Sequence, residues 1–196
     1  MEFKKEVLTY AKPKQQVLDE MYMELAHNMA KLSTCSRVNV GAILVLEGRP
    51  VLSGYNGSPS GHRHCKDIYQ EKYQKYMVEH KEPIGIFTFE DYMRLPEVRE
   101  DHGKFSRLHE VHAEINIISE AAYKGLSVKG GKLYITHSPC NDCCKSILTA
   151  GISEVLFENL YDRETEGIQI LLQSGVNVTQ LELKGGKITN VYRLQV

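Results

Sequence analysis

Apolar residues recur every fourth position at Val17, Met21, Leu25 and Met29, with polar residues between them, which predicts a first helix burying that row. Val38 to Leu46 (VNVGAILVL) and Val51 to Tyr55 (VLSGY) read as two strands joined by the turn residues Glu47-Gly48-Arg49-Pro50. The first of these strands is apolar at nearly every position, so it is expected at the centre of a sheet. From Asn56 to Glu110 the periodicity fades. NGSPSGHRHC is loop chemistry, and the Lys-, Glu- and Tyr-rich stretch after it has little apolar repeat. Residues 62–110 therefore read as a functional insertion, too long for an ordinary loop, with a small anchor of its own.

Regularity returns as a helix from Val111 to Lys124 closed by Gly125, a strand Lys132 to His137, and a helix from Cys140 to Ala150 closed by Gly151. Ser153 to Glu158 reads as a strand, and Glu164 to Gln173 as a helix with Ile168, Leu171 and Leu172 on one face. A strand from Val176 to Leu183 follows, and LKGGKITNVYRLQV forms a terminal hairpin. Strands alternating with helices predict an α/β fold, a sheet covered by helices on both faces.

With 196 residues, 42% of them hydrophobic, the chain buries one substantial core, so residues 1–196 are expected to form one domain. Lys plus Arg (24) nearly balance Asp plus Glu (25), and a formal charge of -1 gives no field that would draw the protein onto a nucleic acid; a small substrate fits better. The start, MEFKKEVLTYAKPKQQ, has no apolar run of signal-peptide length, and no stretch approaches the roughly 18 apolar residues of a membrane span. A cytoplasmic protein without a membrane partner is expected. The five cysteines are odd in number and scattered, which favours metal binding or buried thiols over a disulfide framework.

HEVHAEIN supplies His112 and Glu114, and SPCNDCC supplies Cys140 and Cys143, each pair at the start of an expected helix. One imidazole and two thiolates form a tetrahedral zinc site whose fourth position stays open, as a catalytic zinc requires. Helix starts favour thiolate over thiol, so both cysteines can bind metal at neutral pH. Zinc lowers the pKa of water toward about 7, and Glu114, two residues beyond His112, is placed to move the protons without being a ligand. His-x-Glu followed by Pro-Cys-x-x-Cys is a zinc deaminase signature, and Pro139 stands before Cys140. The bland alternative, a closed zinc knob, needs a fourth protein ligand, for which the local sequence offers only Cys144; a small buried residue facing another way is the simpler reading of Cys144.

HAEIN and SPCNDC resemble the two motifs of the cytidine and deoxycytidylate deaminase family. CSRVNVGAILV and GYNGSPSG resemble the corresponding stretches of its deoxycytidylate deaminases, particularly the phage type, and the likeness runs from Leu32 to Tyr161. It implies a three-layer α/β/α fold around a five-stranded mixed sheet, and hydrolytic deamination of dCMP to dUMP and ammonia, a supply of dUMP for dTMP synthesis. It also implies substrate contacts from Asn56, Ser138, Arg37 and Tyr161, Arg37 and Tyr161 being the candidates for the 5′-phosphate. Asn56 as a turn residue, Arg37 as a surface charge and Tyr161 as packing are the alternatives.

Cys35, Cys65, His102 and Glu110 match the extra metal site of the phage-type enzymes, implying a second, structural zinc, with His62, His64 and His109 as competing ligands. The resemblance further implies activation by dCTP with Mg²⁺, inhibition by dTTP, and a homo-oligomer, a hexamer in that family. Gly54, Tyr55, Asn56 and Gly57 are a plausible effector loop, since glycines let backbone N–H groups approach phosphates and Tyr55 offers a stacking ring; a tight strand-ending turn is the alternative. Glu120 and Tyr123 depart from the phage-type pattern, so contacts of that helix are not carried over. The rival functions are a zinc deaminase acting on another cytosine or adenine substrate and a non-catalytic zinc module, which has no use for Glu114.

Overall fold

The structure is a computed structural model that describes residues 3–81, 85–161 and 164–196. In chain order the elements are β1 (Lys4–Leu8), α1 (Pro13–Ala30), β2 (Gly41–Leu46), β3 (Arg49–Tyr55), α2 (Cys65–His80), α3 (Phe89–Arg94), α4 (Pro96–His109), α5 (Ala113–Lys124), β4 (Lys132–His137), α6 (Asn141–Thr149), β5 (Glu154–Asn159), α7 (Glu166–Gln173), β6 (Asn177–Lys184) and β7 (Lys187–Gln195). The strands form one sheet in the order β1-β7-β6-β5-β4-β2-β3. β4, β5 and β6 run parallel, and the remaining pairs are antiparallel.

Side chains alternate across this sheet as its pleat demands. Ala42, Leu44, Leu133, Ile135, Val155, Phe157 and Val178 meet Ile117, Ile147, Ile168 and Leu171 of α5, α6 and α7. Ile43, Val45, Tyr134, Leu156 and Leu181 meet Tyr22, Met23 and Ala26 of α1 on the other face. Burial on both faces is why β2 and β4 read as nearly continuous apolar runs. The β2–β3 turn places Glu47 and Gly48 at φ 49° and 73°, the left-handed pair that matches strand twist in a two-residue hairpin.

Two expectations are corrected. The sheet has seven strands rather than five, because β7 returns from β6 through Gly185-Gly186 and β1 pairs outside it. β1, with the sequence KKEVL, is too short and too charged to show a period. The first helix forms, but Val17, Met21 and Leu25 are 60%, 41% and 36% exposed, and Tyr22, Met23, Ala26 and Ala30 are the buried residues. The buried face was hidden because it also carries two carboxylates. Asp19 accepts hydrogen bonds from Tyr10, Gln15 and Tyr134, and Glu20 from Gln16, Lys187 and the Ile188 amide. The small Ala26 and Ala30 let the β2 backbone come so close that a Cβ at Gly41 would collide with the α1 main chain.

The insertion is helical and has its own core. Tyr69, Tyr73 and Tyr76 lie at helical spacing on α2 and pack with Phe87, Phe89, Tyr92 and Phe105. Thr88 and Asp91 cap α3 reciprocally. Lys66 ties the unit to the main fold by donating to the Ser33 carbonyl at 2.6 Å. Among the described residues no helix is long and apolar enough to cross a membrane.

Candidate active site

α5 and α6 lie together on one sheet face, with Ala113, Ile117, Cys144 and Ile147 in the same core. His112 and Cys140 are their N-cap residues, both extended (φ -75°, ψ 154° and φ -71°, ψ 170°), so both side chains leave from the positive ends of helix dipoles. Cys143 follows in the first turn of α6. His112 Nδ1 lies 3.4 Å from Cys140 Sγ and 3.3 Å from Cys143 Sγ. Ligand atoms around a tetrahedral zinc lie roughly 3.5 Å apart, given metal bonds of about 2.0–2.3 Å, so this donor set fits the ion. Among the described residues no fourth His, Cys, Asp or Glu joins the group.

The electrostatics agree with the geometry. Hydrogen bonds from Cys143 and then His112 hold the Cys140 thiol down at about 4, while the Cys140 contact raises His112 to about 9. Such a thiolate beside protonated neighbours is a set of groups ready to exchange protons for a cation. Glu114, in the first turn of α5, is 4% exposed, and burial pushes its carboxyl upward while His112 pulls it down. Burial thus favours the protonated form of this carboxyl, opposed by the charge of His112. Cys144 is fully buried, its thiol contacts the Pro139 carbonyl at 3.7 Å, and it is not part of the metal group.

Asn56 is buried. Its Oδ1 accepts from Ser33 Oγ at 2.7 Å and the Val40 amide at 2.8 Å, and its Nδ2 donates to the Val38 carbonyl at 2.9 Å. Ser138 sits two residues before Cys140 and accepts from the Tyr161 amide at 2.8 Å, which brings these two candidates together. Arg37 is half-buried on the loop after α1.

The glycines of the Gly54 to Gly57 loop have packing roles. A Cβ at Gly54 would overlap the Ala113 carbonyl of α5, and one at Gly57, where φ is 151°, would strike Thr34. Gly57 pairs with Val111 through N–H···O bonds of 3.1 and 2.8 Å, which fixes the chain entering His112. Tyr55 is 36% exposed and its carbonyl accepts from Asn116 at 2.6 Å. Tyr123 is 91% exposed, and Glu120 pairs with Lys124.

A second group gathers Cys35, Cys65, His102 and Glu110, all of whose donor atoms lie within 4.8 Å of one another. His102 Nε2 stands 3.7 Å from Cys35 Sγ and 3.3 Å from Cys65 Sγ. Of the competing histidines, His109 packs on Phe105, and His64 caps α2 beside Asp67. His62, on the exposed loop before α2, is outside the group.

Two supporting residues escaped the sequence reading. Ser33 holds Asn56 and receives the Cys35 amide at 3.2 Å. Glu164 accepts the Asn141 amide at 3.2 Å, anchoring the start of α6 beside Cys140. Both are loop residues among other polar residues, where no periodicity singles them out.

A family model of the cytidine and deoxycytidylate deaminase zinc-binding region matches residues 16–159, and the chain belongs to that family. Within it, the chain is 32% identical over 171 residues to the deoxycytidylate deaminase of Enterobacteria phage T4, covering 83% of this chain and 89% of that one. It is 32% identical over 165 residues to ComE operon protein 2 of Bacillus subtilis, covering 84% and 71%. Its fold is similar to that of the dCMP deaminase of cyanophage S-TIM5 solved with dCMP and dUMP, with a TM-score of 0.63 and 31% identity over 88% of this chain and 100% of that one.

Proposed function

We propose that this chain hydrolyses dCMP to dUMP and ammonia. The observation that carries the reading is the convergence of His112, Cys140 and Cys143 at two helix starts beside the buried Glu114. The phage relatives' names and the dCMP and dUMP in the cyanophage structure favour that substrate.

A zinc ion held by His112, Cys140 and Cys143 supplies the Lewis acidity that makes water nucleophilic near neutral pH. Glu114 takes one proton from the water and delivers it to ring N3 as the water oxygen bonds to C4, then takes the second proton from that oxygen and passes it to the amine, which departs as the C4–O double bond forms. One water is consumed, the C4–N4 bond breaks, and ammonia leaves. Asn56 offers its remaining amide hydrogen to the sugar, and Ser138 borders the base. Arg37 and Tyr161 take the 5′-phosphate.

The proposal extends to a structural zinc held by Cys35, Cys65, His102 and Glu110. Its support is that His102 Nδ1 and both Glu110 carboxylate oxygens are buried without hydrogen-bond partners among the described residues. Burial and then Cys35 raise the Glu110 carboxyl, a penalty that a bound cation removes. Regulation by dCTP with Mg²⁺ and by dTTP, through the Gly54 to Gly57 loop of a homo-oligomer, belongs to the same reading. In its favour, the loop contains Asn56 and is bonded through Gly57 to Val111, the residue before His112.

Ammonia release from purified protein given dCMP, CMP, dCTP, deoxycytidine and an adenosine oligonucleotide tests the substrate. Preference for dCMP is expected, and preference for the oligonucleotide would overturn the reading. Rate curves against dCMP that superimpose with and without dCTP or dTTP would remove regulation alone.

A further inference from the structure

At their carboxyl ends β4 and β5 lead to Cys140 and the metal group; their first residues, Lys132 and Glu154, border a different feature. There the connection from β1 to α1 roofs a cleft of about 280 Å³ whose floor is the α1-facing side of the sheet. Nothing in the proposed deamination uses it.

Three observations point to an anion. α1 begins without a side-chain cap and with no acidic residue in its first turn, so the positive end of an 18-residue helix meets the cleft uncompensated. Lys12 and Arg193 line the cleft and form no ion pair among the described residues. The Thr179 hydroxyl, on a residue 4% exposed, also lines it and has no hydrogen-bond partner among the described residues.

Of the two carboxylates at the cleft, Glu154 is paired with Lys132 at 2.6 Å, while Asp19 keeps its charge but is 4% exposed and turned to Tyr10, Gln15 and Tyr134, so Lys12 and Arg193 together outweigh it by one unit. The walls contributed by Leu8, Leu156 and Val191 are apolar, which suits a ring rather than a bare ion.

We propose that this cleft binds a small phosphate monoester carrying an aromatic or heteroaromatic ring. The phosphate sits on Lys12 and Arg193 beside the positive end of α1, and the ring lies over Leu156 and Val191 with Thr179 at its edge. The cleft is separate from the metal group, so occupancy does not require the active site.

Isothermal titration of the metal-loaded full chain with phenyl phosphate, and with inorganic phosphate for comparison, tests this. Phenyl phosphate should bind saturably and more tightly than inorganic phosphate. Lys12→Gln and Arg193→Gln should each weaken that event at least about tenfold, as the loss of a charge-assisted hydrogen bond predicts. Lys14→Gln, which removes the same charge from the same helix start outside the cleft, should leave it within about twofold. Deamination of dCMP at the wild-type rate shows that each variant is folded, and Lys12, exposed at a helix cap, decides the matter should Arg193→Gln misfold. Absence of saturable binding, or binding unchanged by Lys12→Gln, would overturn the proposal.

Discussion

Gly54→Ala should damage both stability and turnover, because the substituted methyl has no room between β3 and α5. The new Cβ would overlap the Ala113 carbonyl oxygen and lie 3.0 Å from Ile117 Cγ1 and 3.3 Å from the Ala113 carbonyl carbon. Restoring ordinary contact requires α5 to retreat by roughly 1 Å at its first residue, against a close-packed interior. Overpacking of this kind costs about 1–3 kcal/mol, which for a chain of this size lowers the melting temperature by about 2–12 °C. Ala113 lies between His112 and Glu114, so the same shift moves the proton-transferring carboxyl relative to the metal group. A displacement of about 1 Å in a catalytic group costs on the order of 100-fold in rate. Thermal unfolding and dCMP turnover would be measured alongside Gly103→Ala, which makes the same chemical change in α4 where a Cβ meets nothing. The control should be neutral or stabilised by up to about 1 kcal/mol. Wild-type stability and turnover in Gly54→Ala would show that this glycine is not kept for packing, and would leave the effector role as its explanation.

Glu114→Gln should retain its zinc while turnover falls by at least about 10²–10⁴-fold, whereas Cys140→Ser should lose both; metal analysis beside the dCMP assay separates the two. The proposed structural ion predicts two zinc per chain, falling to one in Cys65→Ser with faster proteolysis of α2 to α4; a wild-type count of one would remove that site. Glu20 has its carboxyl held below the usual range, first by the hydrogen bond from Lys187. Its stabilisation is therefore complete above the unfolded-state pKa of about 4.3 and lost as the pH falls through the lower folded value. Urea midpoints should show wild type well ahead of Glu20→Gln at about pH 6, with the gap closing as the pH drops below about 4; a constant gap would refute the assignment.

The strands and helices from Val111 onward were legible because each carries a complete local signal, an apolar run or an amphipathic period ended by Gly125 or Gly151. The zinc-type donor set was legible for a different reason, since spacing within HAEIN and PCNDC fixes geometry at a helix start. α1 shows the limit of such reading. Counting apolar residues selects Val17, Met21 and Leu25, yet the face that packs holds Asp19 and Glu20, whose hydrogen bonds come from Tyr134 and the Ile188 amide, more than one hundred residues away in sequence. The insertion failed to register because its periodic residues are tyrosines, which score as only weakly apolar, although Tyr69 is fully buried. Asn56 stands out in the sequence only as a polar residue in a Gly-rich stretch; its three bonds to Ser33, Val38 and Val40 require the loop to be seen closed.

That closed loop joins the two donor groups into one mechanical unit. Glu110 belongs to the second group and His112 to the first, with only Val111 between them, and Val111 is clamped by two main-chain bonds to Gly57. On the other side Cys35 donates its amide to Ser33, whose hydroxyl holds Asn56, the neighbour of Gly57. A change in the group around Cys35 therefore reaches His112 by two short covalent and hydrogen-bonded routes, without passing through the sheet. The insertion enters the same circuit, since Cys65 opens α2 and His102 lies on α4. Its aromatic core can consequently be far from the zinc-type centre in function and still set its geometry. What the long polar stretch adds to the basic fold is then a brace on the chain entering His112, which accounts for helices whose own surface carries no proposed catalytic group.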